Sequence, residues 1–324
     1  MAYDFSRNDP GSVTATELIV SVFDQVDSGF YDVLYPEILW KEHIPQASVK
    51  TDITPGAMNH VYRSRDTKGM GQFVQGDPKN IPRVGQTINQ ITVPILDAAV
   101  GATLTDAEAR RYQYGFQSAL AQDYGEIMKK AAEYHVERTF FFGDDLAGFD
   151  PYLDYPTVTK IPSVAWDGSD PSVWVEAVND AITAVWVASK TVHMPDTLKL
   201  PPSLYSMLTK AYVIGSGSVG VAVSAIKYLQ ENNIYTLTTG KPLNIKPLRY
   251  LEGAGVGGVD RAIVEESNPR NFVMPFPLPY QLAQPVPIPL GVEMFAEYIF
   301  GSFNIRYPGA MAYIDIAASE ESSS

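Results

Sequence analysis

The chain has 324 residues, 45% of them apolar and 19% charged, with a net charge of −13 and no cysteine. That length and composition accommodate two ordinary domains or one elaborate one around a sizeable core, and exclude wholesale disorder. The missing cysteine excludes disulfides, thiol nucleophiles and thiolate metal sites. The acidity argues against a dedicated nucleic-acid reader and against adhesion to anionic membranes.

Residues 1–55 read as an arm. The opening MAYDFSRNDPG is polar and carries no secretory signal. Thr14 to Glu17 is a T-x-x-E capping box that opens a short helix bearing Leu18, Ile19, Val22, Phe23 and Val26 and closing at Gly29. FYDVLYPEILWKEHIP follows, apolar but interrupted by Pro36 and Pro45, and is expected to be extended against another surface.

Residues 56–103 hold short β-like runs punctuated by Gly69, Gly71, Gly76, Pro78, Pro82 and Gly85. They predict a long two-stranded excursion. An isolated hairpin is marginal in water, so it is expected to rest on another chain. Arg63, Arg65, Asp66 and Lys68 serve either as edge-strand protection or as contacts to a neighbour.

Thr105 to Gly143 contains a second capping box, Thr105 to Glu108, no proline, and a closing glycine. Apolar residues recur at Tyr112, Phe116, Ala119, Leu120, Tyr124, Ile127, Ala131, Tyr134 and Phe141, mostly three or four apart. The pattern predicts one spine helix over 105–141, about 55 Å long at 1.5 Å per residue. A globule of this chain length would be about 50 Å across. Such a helix suits a flat plate better than a sphere. The alternative is a kinked pair of helices broken at Gly125.

GDDLAGFDPYLDYPTVTKIPS reads as a turn-rich loop. Asp170 caps a helix with Pro171 at its first position, carrying Trp174, Ala177, Val178, Ala181, Ile182 and Val185. From 197 to about 264, short strands alternate with helix, as in a compact mixed domain. Prolines at 275, 277, 279, 285, 287 and 289 exclude helix, and β-like alternation starts at Val292.

No catalytic motif stands out. Gly215, Gly217 and Gly220 match G-x-G-x-x-G, but the preceding strand is short and no acid follows at the ribose-binding distance. GAGVGG from Gly253 has no helix after it. His43, His60, His135 and His193 are scattered without metal-ligand spacing. Asp144, Asp145 and Asp150 cluster in a loop that lacks calcium-loop spacing and reads as a solvated turn, with a cation as the alternative. No catalytic, cofactor-binding or metal residue is assigned.

The order of arm, β excursion, spine helix, compact α/β domain and return strands resembles the major capsid proteins of tailed phages, an α+β fold of the Hong Kong 97 type. The block IKYLQENNIYTLTTGKPLNIKPLRYLEGAG…DRAIVEESNPRNFVMPFPLPYQ, the proline-rich turn and the closing Arg306 then PGAMAYID are similar to one branch of that family. The likeness is most specific from about 224 to 315. It implies an N-arm at 1–55 and an extended E-loop at 56–103 lying over a neighbouring subunit. It implies a peripheral domain from 104–170, with the spine at 105–141, joined by return strands at 268–324. An axial domain at 171–267 would line the five- and sixfold axes. The implied function is an icosahedral shell around double-stranded DNA, built from many copies as hexamers and pentamers. Portal, scaffolding and decoration proteins are the implied further partners, with no sequence-specific DNA contact and no membrane. The chain would be made in the host cytoplasm and reside in the virion capsid, and any scaffold would come from a separate protein. Lys68, Lys79 and Asn80 do not match the cross-linking arrangement of some relatives. A protein-cargo nanocompartment of the same fold, and a nucleotide-dependent α/β enzyme built on GSGSVG, are the alternatives.

Overall fold

The computed structural model describes residues 37–69, 84–115, 120–162, 171–213 and 223–316. The capping box at Thr14 to Glu17, the glycine loop around Gly217, Asp170, Lys79 and Asn80 lie outside them. The first described segment is not wholly extended. A helical turn, α1 (Trp40–His43), precedes the short strand β1 (Val49–Lys50). Its apolar side explains the turn: Trp40 stacks on Phe276 at 6.1 Å and lies 6.5 Å from Phe140.

Strand β2 (Asn59–Lys68) pairs antiparallel with the first half of β3 (Gly85–Thr105), from Asn59 opposite Pro94 to Lys68 opposite Gly85. The two-stranded excursion is therefore present. Its second strand runs on without interruption into the body. At about 3.3 Å per residue, the 21 residues of β3 extend about 70 Å. The longest single described element is thus this strand.

The helix expected from 105 starts at Asp106, because Thr105 still belongs to β3. The capping box forms as read. Thr105 Oγ1 accepts from the Glu108 amide at 3.2 Å, and Glu108 accepts from the Thr105 amide at 3.0 Å. Helix α2 spans Asp106–Gly115 and α3 spans Leu120–Phe142, and residues 116–119 between them lie outside the described residues. Gly125 sits within α3 and does not break it. The buried face of α3 is Met128, Ala132, Val136 and Phe140, whereas the expected stripe residues Ile127 and Ala131 are exposed. Phe141 of that stripe is fully buried and Tyr124 and Tyr134 are half-buried, so among the described residues the displacement is confined to Ile127 and Ala131.

From 197 to 265 the predicted alternation of short strands and helices is present, and β4 and α4 precede it. The elements in order are β4 (Thr159–Pro162), α4 (Pro171–Ala188), β5 (Thr197–Leu200), α5 (Pro202–Lys210), β6 (Tyr212–Val213) and β7 (Val223–Ser224). Then come α6 (Ala225–Glu231), α7 (Ile234–Thr239), β8 (Asn244–Pro247) and β9 (Asp260–Glu265). The proline-rich stretch forms strands β10 (Phe272–Pro275), β11 (Leu278–Leu282) and β12 (Val286–Ile288). Pro279 and Pro287 fall in β11 and β12, which pair only with one edge of β13 (Gly291–Gly301), where a missing N–H is tolerated. Strands β14 (Asn304–Ile305) and β15 (Met311–Ile316) end the described chain.

Two five-stranded sheets organise the body. One runs β11-β13-β3-β2, with β12 beside β13, and the other runs β4-β15-β9-β5-β8. The second sheet crosses the sequence-based domain boundaries, since β4 and β15 share it with β5, β8 and β9. One apolar core joins α1, α3 and the inner face of β13 through Phe140, Phe141, Tyr298, Phe300 and Phe303. The other packs α4, with Trp174, Val178 and Ile182, on Leu198, Leu200, Val264 and Ile314 of the mixed sheet.

Candidate functional site

The surface that sets this chain apart is the hairpin of β2 with the first half of β3. Its root is anchored. Val93 is buried, the Tyr62 hydroxyl donates to Asn304, and the Arg306 guanidinium lies 5.1 Å over the Tyr62 ring. Beyond that root both faces are open. Arg63, Ser64, Arg65 and Asp66 on β2 and Gly85 to Gln90 on β3 are all exposed. Val61 and Ile88 are 44% and 56% exposed. A two-stranded ribbon with no packed face is marginal in water, so this one requires a partner surface.

The body behind the hairpin is held by buried charge. Lys199 Nζ reaches Glu265 at 2.5 Å, the His43 carbonyl at 2.8 Å and the Tyr152 hydroxyl at 2.7 Å, joining α1, the loop after α3, β5 and β9 at one point. Burial raises the Tyr152 phenol, and the adjacent Glu265 carboxylate raises it further. Glu137 of α3 accepts from the Leu39 amide at 3.0 Å, from Arg249 at 2.7 Å and from the Tyr250 hydroxyl at 2.6 Å. Arg261 is fully buried and forks onto Asp315 at 2.5 and 3.0 Å, while its other terminal nitrogen donates to Leu153 and Asp154. Fork-on-carboxylate pairing of this kind is strong and directional. These knots fasten segments distant in sequence. Sequence reading missed them, although a lone Lys inside TLKL and a lone Arg opening DRAIVEE are visible signals of buried, paired charge.

The other candidates are placed apart. Strands β6 and β7, which flank the G-x-G-x-x-G loop, pair antiparallel, Tyr212 with Ser224 and Val213 with Val223. A dinucleotide loop instead joins a strand to a helix within a parallel unit. Asp144 accepts from the Leu146 and Ala147 amides at 3.0 and 3.2 Å, as a residue shaping a turn does. His43 is buried in α1, His60 lies in the hairpin root, His135 meets the Tyr298 hydroxyl at 2.7 Å, and His193 meets Glu266 at 2.6 Å. Among the described residues no three His, Asp or Glu side chains gather as a metal-binding group. Among them, too, no helix is long and apolar enough to cross a membrane.

Two sheets, one of them braced by α3 and extended by a β ribbon, are the architecture of a shell-forming subunit of the Hong Kong 97 type. Solved phage capsids share it. The capsid of Myoviridae phage XM1 superposes with a TM-score of 0.72 at 15% identity, covering 95% of this chain and 100% of that one. A solved structure from Mycobacterium phage Bobi gives 0.60 at 13% identity, covering 95% and 100%. The capsid of a native GTA particle gives 0.57 at 13% identity, again covering 95% and 100%. No curated protein sequence matches the chain. The family model described as Major capsid protein matches residues 69–316, and the chain belongs to that family. It is a capsid shell protein.

Proposed function

We propose that this chain tiles an icosahedral shell as pentamers and hexamers, and that the shell encloses double-stranded DNA. The observation that carries the reading is the ribbon at residues 63–66 and 85–90, open on both faces yet continuous with the body through β3. It is built to be covered by another copy, as an E-loop over a neighbour. Residues 1–55 serve as the N-arm, 56–103 as the E-loop, 104–170 with 268–324 as the peripheral domain and 171–267 as the axial domain. The mixed sheet ties the last two together. Each apolar contact between copies contributes about 25 cal/mol per Å² buried, and repetition over a closed shell sums many such contacts. The net charge of −13 suits a wall that does not grip its genome. Portal, scaffolding and decoration proteins are the further partners, and synthesis takes place in the host cytoplasm.

The test is the content of particles purified from producing cells and treated with nuclease. Protected double-stranded DNA of uniform length supports the proposal. Shells holding only protein cargo would replace it with a nanocompartment.

A further inference from the structure

The two halves of β3 carry faces of opposite sign. In the hairpin, the register sets Val61 opposite Thr92, Arg63 opposite Gln90 and Arg65 opposite Ile88, so these six side chains share one face. The face is basic and partly apolar, and neither arginine is ion-paired among the described residues. The second half of β3 pairs with β13, whose inner residues Met294, Ala296, Tyr298 and Phe300 face the core. The outer face of that pair sets Phe295 opposite Gly101, Glu297 opposite Ala99, and Ile299 opposite Asp97. Phe295 is 40% exposed and its ring lies over Gly101, where a Cβ would come within 3.0 Å of it. Asp97 and Glu297 are exposed and are not ion-paired among the described residues.

The spacings agree. Arg63 and Arg65 are two residues apart on one strand, about 7 Å. Asp97 and Glu297 are diagonal cross-strand neighbours, also about 7 Å apart. Each face sets an apolar side chain beside its charges. The two faces cannot meet within one molecule, because they lie end to end along a single strand.

We propose that the Arg63/Arg65 face of the hairpin seats on the Asp97/Glu297 face of a second copy's β3–β13 sheet, with Val61 against Phe295. The proposal rests on the shell reading and adds to it the face, the socket and the sign of the contact. Ribbon and socket are different patches, so the contact is heterologous. It propagates head to tail and terminates only by closing into a ring, which a self-complementary dimer contact does not do. Guanidinium groups match carboxylates in geometry as well as charge. Duplex nucleic acid is the other polyanion that paired arginines suit. The flanking Val61 and Ile88, and an acidic socket at matched spacing on the same chain, select the protein partner.

A charge-swap experiment on the full chain, in cells where the wild type assembles, tests this. Arg63→Glu/Arg65→Glu is expected to lower shell yield at least tenfold, and so is Asp97→Lys/Glu297→Lys. The four-residue combination is expected to recover most of the yield. Thermal unfolding of the unassembled fractions reports whether each variant folds. Where a reversal variant does not fold, Arg63→Gln/Arg65→Gln is used instead, and its shells are expected to dissociate at lower salt than the wild type. No rescue in the combined variant, or unchanged salt sensitivity in the glutamine variant, would overturn the pairing while leaving the shell reading in place. Normal shells with reduced DNA content in the arginine variants would also overturn it, assigning the face to nucleic acid. A wild type that forms no shells or rings would remove the shell reading itself, and the pairing with it.

Discussion

Lys199 and Glu265 face each other at 2.5 Å across neighbouring strands of the mixed sheet, with side chains only 2% and 1% exposed. Neither charge has access to bulk water, so each depends on the other. Lys199→Met would leave a buried carboxylate with only the Tyr152 hydroxyl for company. A loss of about 3–5 kcal/mol is expected, the usual cost of stranding one member of a buried pair. Replacing both, Lys199→Met with Glu265→Leu, is expected to cost clearly less. Denaturant unfolding of the two variants checks the order.

Glu137 on α3 gathers the Leu39 amide, Arg249 and Tyr250 in one buried cluster. Glu137→Ala is expected to release the segment before α1 before it unfolds the body. The readout is hydrogen exchange, with faster exchange expected at Leu39 than in α4. Equal acceleration in both would show that the clamp is not local.

His43 carries the clearest pH signal. Burial, reinforced by Lys199, Lys246 and Arg249, lowers its pKa from 6.5 to about 3. The unfolded chain takes up this proton as pH falls below about 6.5, and the folded chain does not until about 3. Stability from this group is therefore lost as pH falls through that window, at about 1.4 kcal/mol per pH unit. Between pH 6.5 and 5 the wild type is expected to lose about 2 kcal/mol more than His43→Gln. Equal losses in the two proteins, measured from denaturant midpoints, would contradict the assignment.

Gly143 ends α3 with φ +70°, and a Cβ there would lie 2.5 Å from the Phe149 carbonyl and 2.9 Å from the Pro151 nitrogen. Gly143→Ala combines backbone strain with a collision against main chain that cannot swing aside. A loss of about 2–4 kcal/mol is expected in thermal or denaturant unfolding.

Much of this was readable from residue order alone. The Thr105/Glu108 box is local chemistry, and it formed between the named atoms. The hairpin was marked by its glycines and short β runs, and the absence of helix from 275 to 289 by what proline forbids, though not the strands β10 to β12 that form there. Other features depended on distant partners. The α1 turn at Trp40 exists because Phe140 and Phe276 receive it, and both are far along the chain. The facing of α3 was set by its distant partners: Ala132, Val136 and Phe140 share a core with Tyr298 and Phe300, so Ala132 went in where Ala131 was expected. The continuity of β3 could not be seen because its two halves pair with strands about 200 residues apart, β2 and β13. Helix covers 106–115 and 120–142 of the expected spine, and residues 116–119 lie outside the described residues.

The central claim is that a chain with a ribbon open on both sides is made complete only by its copies. Sedimentation of the purified full-length protein, followed by electron microscopy of the fast fraction, tests it most directly. The account predicts closed shells or rings of five and six subunits. A single slow species of monomer mass, stable at high concentration with the hairpin protected from protease, would contradict it.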